Sequence, residues 1–159
     1  MTRIAIDAMG GDHAPGEIVA GAVWAAQEYG VALDIVGKED EIRAELEKIA
    51  KVGGIYSDCG KKGRLRKVKI DLSNIDYTVT HASEVIEMGE AVGQAIRKKK
   101  DSSIVKAVKS VADGYSDGIV AAGSTGAAMA SSLFGLGRIK GITRPVSYTH
   151  LTLPTITRV

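Results

Sequence analysis

The sequence predicts an α/β protein in which a mostly parallel sheet is covered by helices on both faces. Apolar, strand-like runs alternate with segments of helical periodicity along the chain, which is the pattern of such a sheet. Apolar runs of this kind suit strands that are buried on both faces. With 159 residues, 45% hydrophobic and 25% charged, the chain has the size and composition of one globular domain. These values exclude a disordered tail, a collagen-like fibre and a disulfide-stapled miniprotein.

Four strands are predicted, at residues 3–8, 31–36, 77–80 and 117–122. Helices are predicted at residues 15–30, 38–51, 91–99, 101–112 and 123–136. Residues 52–74 are the least regular stretch, and residues 81–84 are expected to begin a turn or a short helix. The core must be mainly aliphatic, because the chain has only five Tyr, one Trp and one Phe. A chain that stops after its fourth strand is expected to leave a bare sheet edge.

The first two helices have the clearest patterns. Pro15 suits the first turn of the first helix and Gly30 suits its end. The expected buried face of that helix consists of Ile18, Val19, Ala22, Val23 and Ala26. The second helix is expected to bury Ile42, Leu46 and Ile49, with the i,i+4 pairs Glu39–Arg43 and Glu47–Lys51 outside.

The last two helices follow polar turns. Residues 101–103 (DSS) are predicted to cap a helix, whose expected apolar stripe is Ile104, Val105, Val108, Val111 and Ala112. Between Asp117 and Arg138 the chain has no charge, a length that would cross a bilayer. Because this stretch contains five Gly, three Ser and one Thr, a strand, a turn and a small-residue helix are predicted instead.

Charge and cysteine content narrow the function classes. The formal net charge of +2 is too small to indicate general nucleic-acid binding. Cys59 is the only cysteine, so neither an intrachain disulfide nor a cysteine-based zinc site is possible, and a reducing cytoplasm is the expected compartment. The N-terminus meets an acid before any long apolar region develops, which is unlike a signal peptide.

Two loops are predicted to follow strand ends, where open parallel sheets bind their ligands. Residues 7–15 (DAMGGDHAP) combine two glycines with acidic and imidazole groups: Asp7, Gly10, Gly11, Asp12 and His13. Residues 122–126 (AGSTG) offer amides and hydroxyls at a helix N-terminus, which favours anions. The structural alternative is that both loops hold Gly, Ser and Asp only because tight turns and caps require them.

Other kinds of site have little support. Neither loop matches the P-loop or the dinucleotide fingerprint, so nucleotide binding is disfavoured. His13, His81 and His150 have no helix-spaced ligand partner, so no metal site is predicted. No catalytic triad and no G-x-S-x-G motif is present.

A basic run follows the third predicted helix. Arg97, Lys98, Lys99 and Lys100 are either a solvated helix end, where cations complement the dipole, or a docking patch for an acidic partner. The cluster of cations in residues 61–69 is a second docking candidate.

Four segments together resemble a known family. They are residues 6–15 (IDAMGGDHAP), 81–88 (HASEVIEM), 97–103 (RKKKDSS) and 122–145, which begins AGSTGA and ends GRIKGITRP. In this order and spacing they resemble bacterial phosphate acyltransferase, the acyl-carrier-protein:phosphate acyltransferase of phospholipid synthesis.

The resemblance implies a reaction in which inorganic phosphate attacks the thioester of a long-chain acyl-carrier protein, giving acyl phosphate and the free carrier thiol. It implies a three-layer α/β/α sandwich like that of phosphotransacetylases and isopropylmalate dehydrogenases, here truncated. It also implies a cytoplasmic homodimer that needs no metal, nucleotide or other cofactor and touches the membrane transiently. Because the carrier protein is acidic, docking at residues 97–100 becomes more plausible.

That chemistry suits the two loops. The glycine and hydroxyl positions are expected to hold phosphate or the oxyanion: Gly10, Gly11, Gly123, Ser124, Thr125 and Gly126. His13 is the candidate general acid–base or phosphate donor, with Asp12 or Asp7 orienting it. These roles are hypotheses that the resemblance does not itself assign.

The match has departures. The family often has Asn where this chain has Ser124, and residues 88–93 (MGEAVG) replace a more acidic, Pro-containing stretch. Residues 146–159 resemble no family segment, so the resemblance covers residues 1–145, and this tail is expected to be a truncated or misread gene end.

A non-catalytic module that binds an anion or the carrier protein is therefore the main alternative. An oxidoreductase is a weaker one, since the dinucleotide fingerprint is absent.

Overall fold

A computed structural model of the chain describes residues 1–57, 66–87 and 89–141. The strands are β1 (Arg3–Asp7), β2 (Ala32–Gly37), β3 (Ile55–Ser57), β4 (Arg66–Val68), β5 (Tyr77–His81) and β6 (Gly118–Ala121). The helices are α1 (Gly16–Tyr29), α2 (Glu39–Val52), α3 (Val92–Lys98), α4 (Ser103–Ala112) and α5 (Thr125–Gly135), with a 3₁₀ turn at Leu72–Asn74. All four predicted strands and all five predicted helices are confirmed, with small shifts at their ends.

The four predicted strands form one parallel sheet in the order β5-β2-β1-β6. In the centre of the sheet, Ile6 of β1 is paired with Ile35 on one side and Val120 on the other. β3 and β4 form a separate antiparallel pair in the stretch predicted to be irregular. Strands of three residues leave too short a pattern to be recognised in the sequence.

Helices cover both faces of the sheet, which gives the expected three layers. α1 and α2 pack on one face, where Leu33 and Ile35 meet Val19 and Val23 in a cluster of buried aliphatic residues. On the other face α4 lies against the two central strands, with Val36 and Ala107 fully buried. α3 and α5 complete this layer by packing on each other and, through α5, on α4.

The helices of the first layer behave as the sequence predicts, except that Ile18 of α1 is only half-buried. α1 ends at Gly30, which adopts a left-handed conformation with φ of 63°. In α2 the predicted stripe of Ile42, Leu46 and Ile49 is buried. Both predicted ion pairs of α2 form, Arg43–Glu39 at 2.7 Å and Lys51–Glu47 at 3.3 Å.

Two details around α4 differ from the prediction. Ala112, the last residue of α4, is exposed, whereas Ala107, which the predicted stripe left out, is buried. Ser102 occupies the N-cap position but makes no side-chain cap bond. Asp101 instead accepts hydrogen bonds from the backbone and hydroxyl of Ser83, at 2.9 and 2.7 Å. The segment after β5 is thereby held extended against α4, and no helix forms at residues 81–84.

One polar cluster lies inside the core. Asp34 of β2 is only 1% exposed, and its carboxyl accepts hydrogen bonds from Thr80 and Ser110, both at 2.6 Å. Thr78 adds a longer bond of 3.4 Å. These hydroxyls replace the water that the carboxyl loses on burial, so the cluster links β2, β5 and α4.

β6 lies at one edge of the described sheet, and its α1-side face is incompletely covered. Val120 is 54% exposed beside an apolar groove that runs along α1. Residues 117–138 form β6, a turn and α5, as predicted. No helix in the described ranges is long and apolar enough to cross a bilayer.

Candidate functional site

The two candidate loops meet at the carboxyl edge of the sheet. β1 and β6 are parallel neighbours, so the loops that follow them leave the sheet side by side. A Cβ placed on Gly10 would lie 2.9 Å from the amide nitrogen of Gly123, and one placed on Gly123 would lie 2.8 Å from the Cα of Gly10. Real Cβ atoms do not approach backbone this closely, so the contact requires glycine on both sides.

A cleft of about 380 Å³ opens at this junction. It is lined by residues 9–12 and 14 after β1, residue 38 after β2, residues 85–87 after β5, and residues 123 and 124 after β6. All four parallel strands therefore contribute to it, as expected for a ligand site at the carboxyl ends of such strands.

The N-terminus of α5 supplies hydrogen-bond donors beside the cleft. Ser124 is the N-cap residue, and its Oγ accepts a hydrogen bond of 3.3 Å from the amide of Ala127. Among the described residues, the Ser124 hydroxyl donates no hydrogen bond of its own. Within the described part of the chain, the amides of Thr125 and Gly126 have no acceptor. These first-turn amides carry the partial positive charge of the helix dipole, which favours an anion.

Asp7 lies beneath this junction and is only 6% exposed. Its Oδ1 accepts a hydrogen bond of 3.2 Å from the amide of Met9. Burial raises the pKa of the Asp7 carboxyl, while hydrogen bonds from Ser103 and Met9 partly oppose that rise. Asp7 thus anchors the start of the first loop from below.

Asp12 and His13 are both exposed but differ in position. Asp12 lines the cleft, whereas His13 is not among the lining residues. Among the described residues, no hydrogen bond joins His13 to Asp12 or Asp7. The structure therefore gathers Asp12 with the glycines and Ser124, and leaves the His13 side chain outside the cleft wall.

Two charged lining residues, Lys38 and Glu87, were not singled out from the sequence. Lys38 directly follows β2, and Glu87 lies in the segment after β5. The loops after β1 and β6 were selected because open parallel sheets bind ligands at the carboxyl ends of their strands, and this reasoning applies equally to β2 and β5. Applying it to every predicted strand would have found both residues.

In the basic run at residues 97–100, one cation is bonded to neighbouring residues and three are exposed. The Lys99 ammonium donates hydrogen bonds to the Val85 carbonyl at 2.8 Å and to Glu90 at 2.5 Å, which holds the pKa of Glu90 below its ordinary value. This bond to Val85 ties the run to the segment that lines the cleft. The other three cations, Arg97, Lys98 and Lys100, are exposed.

Some sequence-based candidates fall outside the described residues. They are Cys59, His150 and most of the second basic cluster, including Lys61, Lys62 and Arg64. Of that cluster, Lys67 donates a hydrogen bond of 2.7 Å to the carbonyl of Val52. Within the described ranges, no group of three or more His, Cys, Asp or Glu side chains is placed to hold a metal ion.

The fold and cleft define an open parallel α/β protein with a candidate ligand site at the carboxyl edge of its sheet. A family model described as "Fatty acid synthesis protein" matches residues 2–54 and 62–158, and the chain belongs to this family. The second matched segment includes most of the tail at residues 146–159. That tail lies outside the described residues, and its origin stays a prediction.

Curated relatives carry a more specific name. The chain is 50% identical to the phosphate acyltransferase of Pelotomaculum thermopropionicum over 143 residues, which cover 90% of this chain and 35% of the relative. It is 47% identical to that of Heliobacterium modesticaldum over 154 residues, which cover 97% of this chain and 39% of the relative. It is 43% identical to that of Dictyoglomus turgidum over 157 residues, which cover 99% of this chain and 40% of the relative.

The resemblance found in the sequence is confirmed by these matches. The chain spans about 35–40% of the length of these relatives. All three relatives are named phosphate acyltransferase, and these names give no support to the oxidoreductase alternative.

Proposed function

We propose that the chain belongs to an acyltransferase that moves a long-chain acyl group from acyl-carrier protein to inorganic phosphate, giving acyl phosphate for phospholipid synthesis. The observation that carries the proposal is the cleft at the Gly10–Gly123 contact, in a chain 43–50% identical to the three phosphate acyltransferases described above. The substrates are taken from the resemblance and from the names of those relatives.

The reaction needs a site that holds two reactants and one developing charge. A phosphate oxygen attacks the thioester carbonyl carbon, and the carbonyl oxygen becomes an oxyanion. The C–S bond then breaks, and the carrier thiolate leaves and takes up a proton. Positioning and oxyanion stabilisation are the main tasks of the protein, because phosphate is itself the nucleophile.

The donors beside the cleft fit these tasks. The amides of Thr125 and Gly126 and the hydroxyl of Ser124 are proposed to hold phosphate or the oxyanion. Gly10 and Gly11 allow the substrate to approach the backbone of the first loop closely. A preorganised set of such donors costs no rearrangement when charge develops, which is how it lowers the barrier.

Proton transfer has two candidates. Asp12 lines the cleft, as Glu87 does, and is the proposed carboxylate of the first loop. His13 follows it in the chain, is exposed, and remains the proposed general acid–base or phosphate donor. We propose Asp7 as the anchor of the loop that carries both residues, since it is buried beneath that loop.

Partner contacts are proposed from charge and resemblance. The exposed cations Arg97, Lys98 and Lys100 are a docking surface for the acidic carrier protein, and Lys99 links this surface to the cleft through Val85. A cytoplasmic location, a homodimer and transient membrane contact are proposed on the resemblance alone.

Binding without turnover is the second candidate function. It is favoured by one observation, that the amides of Thr125 and Gly126 can hold an anion whether or not a reaction follows. It predicts that the chain binds phosphate or carrier protein and releases no thiol.

The test is phosphate-dependent release of thiol from long-chain acyl-carrier protein. We expect release that requires phosphate and that falls in the double variant Ser124→Ala with His13→Ala. Ser124→Asn and His81→Ala serve as matched controls, since the first keeps a capping side chain and the second removes a histidine that lies in neither candidate loop. Undiminished release in the double variant would overturn the site, and binding without release would favour the second candidate.

A further inference from the structure

We infer that Lys38 is the residue that recognises anionic charge in the cleft, and that it does so by exchanging Glu41 for the bound anion. This inference rests on the proposed function and deepens it, because it names the cation that phosphate would meet. Lys38 lies outside both loops that the sequence singled out.

The backbone places Lys38 beside the first loop. β2 ends at Gly37 and Lys38 is the N-cap residue of α2. A Cβ on Gly37 would lie 2.7 Å from the Cγ of Met9, so the loop after β1 packs directly over the end of β2. The amide of Ala8 also donates a hydrogen bond of 2.9 Å to the carbonyl of Val36. Lys38 is therefore held at the rim where this loop begins.

Two carboxylates of the cleft oppose the binding of an anion, and a cation beside them offsets that repulsion. Asp12 and Glu87 line it together with Lys38, and Lys38 is the sole cation among the described lining residues. A phosphate that enters would meet two carboxylates, and repulsion between like charges falls only slowly over a few ångströms. One ammonium at the rim offsets this repulsion and adds a charge-assisted hydrogen bond to a phosphate oxygen.

Lys38 is available for such an exchange. Its ammonium lies 3.0 Å from Glu41 in an i,i+3 pair, and both side chains are 45% exposed. Exposed pairs of this kind are weak, so a multiply charged anion can replace Glu41 as the partner. Lys99, which contacts the lining residue Val85, is already bonded to Glu90 and to the Val85 carbonyl.

The experiment measures the dissociation constant of inorganic phosphate by calorimetry on the 159-residue chain at low salt. We expect Lys38→Met to weaken phosphate binding about fivefold, the size of a single charge contact near water. Glu41→Gln is expected to tighten binding about twofold, because it frees the ammonium. Lys38→Arg should bind like the unchanged chain, and the loss in Lys38→Met should shrink at high salt.

The matched controls lie on the same helix. Lys48 and Glu45 form another i,i+3 pair of α2, at 2.6 Å, and neither lines the cleft. Lys48→Met and Glu45→Gln change the net charge as the test variants do, and we expect neither to alter phosphate binding. Thermal unfolding of every variant checks that it remains folded.

The outcomes separate the two proposals. No phosphate binding by the unchanged chain would overturn the proposed anion site, and the role of Lys38 with it. Binding that is equal in Lys38→Met and the unchanged chain would overturn the inference and leave the cleft intact. Equal losses in Lys38→Met and Lys48→Met would show a general charge effect and would also overturn it.

Discussion

Gly10 and Gly123 lie back to back at the carboxyl edge of the sheet, each occupying the space that a side chain on the other would need. The pair joins the loop after β1 to the loop that leads into α5. Because neither residue has a Cβ, the two backbones approach closely enough to present the Ser124 hydroxyl and the amides of α5 beside the first loop. The geometry of the cleft therefore depends on this one contact.

Replacing Gly123 with Ala tests that dependence. The added Cβ would lie 2.8 Å from the Cα of Gly10, so one loop must move. We expect a loss of about 1–3 kcal/mol in the free energy of unfolding, which is typical of overpacking, and a loss of phosphate binding. Denaturant unfolding and calorimetry measure the two effects.

Gly21→Ala is the control for this substitution. Gly21 lies in α1 with open space around the position of its Cβ, so Ala should raise stability by about 0.5–1 kcal/mol. If Gly123→Ala were as stable as the unchanged chain and bound phosphate equally well, the contact would not determine the cleft.

The buried carboxyl of Asp7 gives a pH dependence of defined sign. Burial raises its pKa in the folded chain above the ordinary value of 3.8, so the unfolded chain loses this proton first as pH rises. Asp7 therefore lowers stability as pH increases from about its unfolded pKa through its folded pKa. We expect Asp7→Asn to gain stability relative to the unchanged chain across that range, as measured by denaturant unfolding at several pH values.

Asp71→Asn is expected to change stability with pH in the opposite direction to Asp7→Asn. Hydrogen bonds from the hydroxyl and amide of Ser73 hold the pKa of Asp71 below its ordinary value. The ionised Asp71 stabilises the fold above its unfolded pKa, and this stabilisation is lost as pH falls. Asp71→Asn should therefore lower the free energy of unfolding most at neutral pH. A stability difference for Asp7→Asn that does not change with pH would contradict the role of burial.

The core cluster around Asp34 predicts a difference between two threonines. Thr80→Val keeps the shape of the side chain but removes the hydroxyl that donates a bond of 2.6 Å to Asp34. A buried carboxyl that loses a donor should cost about 1–3 kcal/mol of stability. Thr78→Val should cost less, because the hydrogen bonds that the Thr78 hydroxyl makes with described residues are 3.2 Å or longer. Chemical denaturation of both variants gives the comparison, and equal costs would count against the cluster as described.

Capping by Ser124 can be separated from its proposed role in binding. Ser124→Ala removes the bond to the amide of Ala127 and should lower stability by about 0.5–2 kcal/mol. Ser124→Asn should retain most of that stability, because Asn caps helices as well as Ser does. Thermal unfolding ranks the three chains, and a fully stable Ser124→Ala would show that the cap contributes nothing.

Local sequence patterns predicted much of the site, but which residues line the cleft depended on the tertiary structure. Glycine and capping residues marked both loops, because tight turns and helix starts impose recognisable local chemistry. The same patterns suggested a partnership between His13 and Asp12 or Asp7, which no hydrogen bond in the described chain supports. The position of a side chain in a loop depends on its neighbours in space, and sequence spacing does not supply them.

The sequence by itself determined the alternation of strands and helices, the buried stripes of α1 and α2, and the family. These features follow from the periodicity of apolar residues and from motifs that are contiguous in the chain. Only the tertiary structure decided that β1 lies between β2 and β6, that Gly10 therefore meets Gly123, and that Lys38 and Glu87 share a cleft with Asp12. Strand order results from packing between distant segments, whose free energy is summed over the whole core and leaves no mark on any single stretch of sequence.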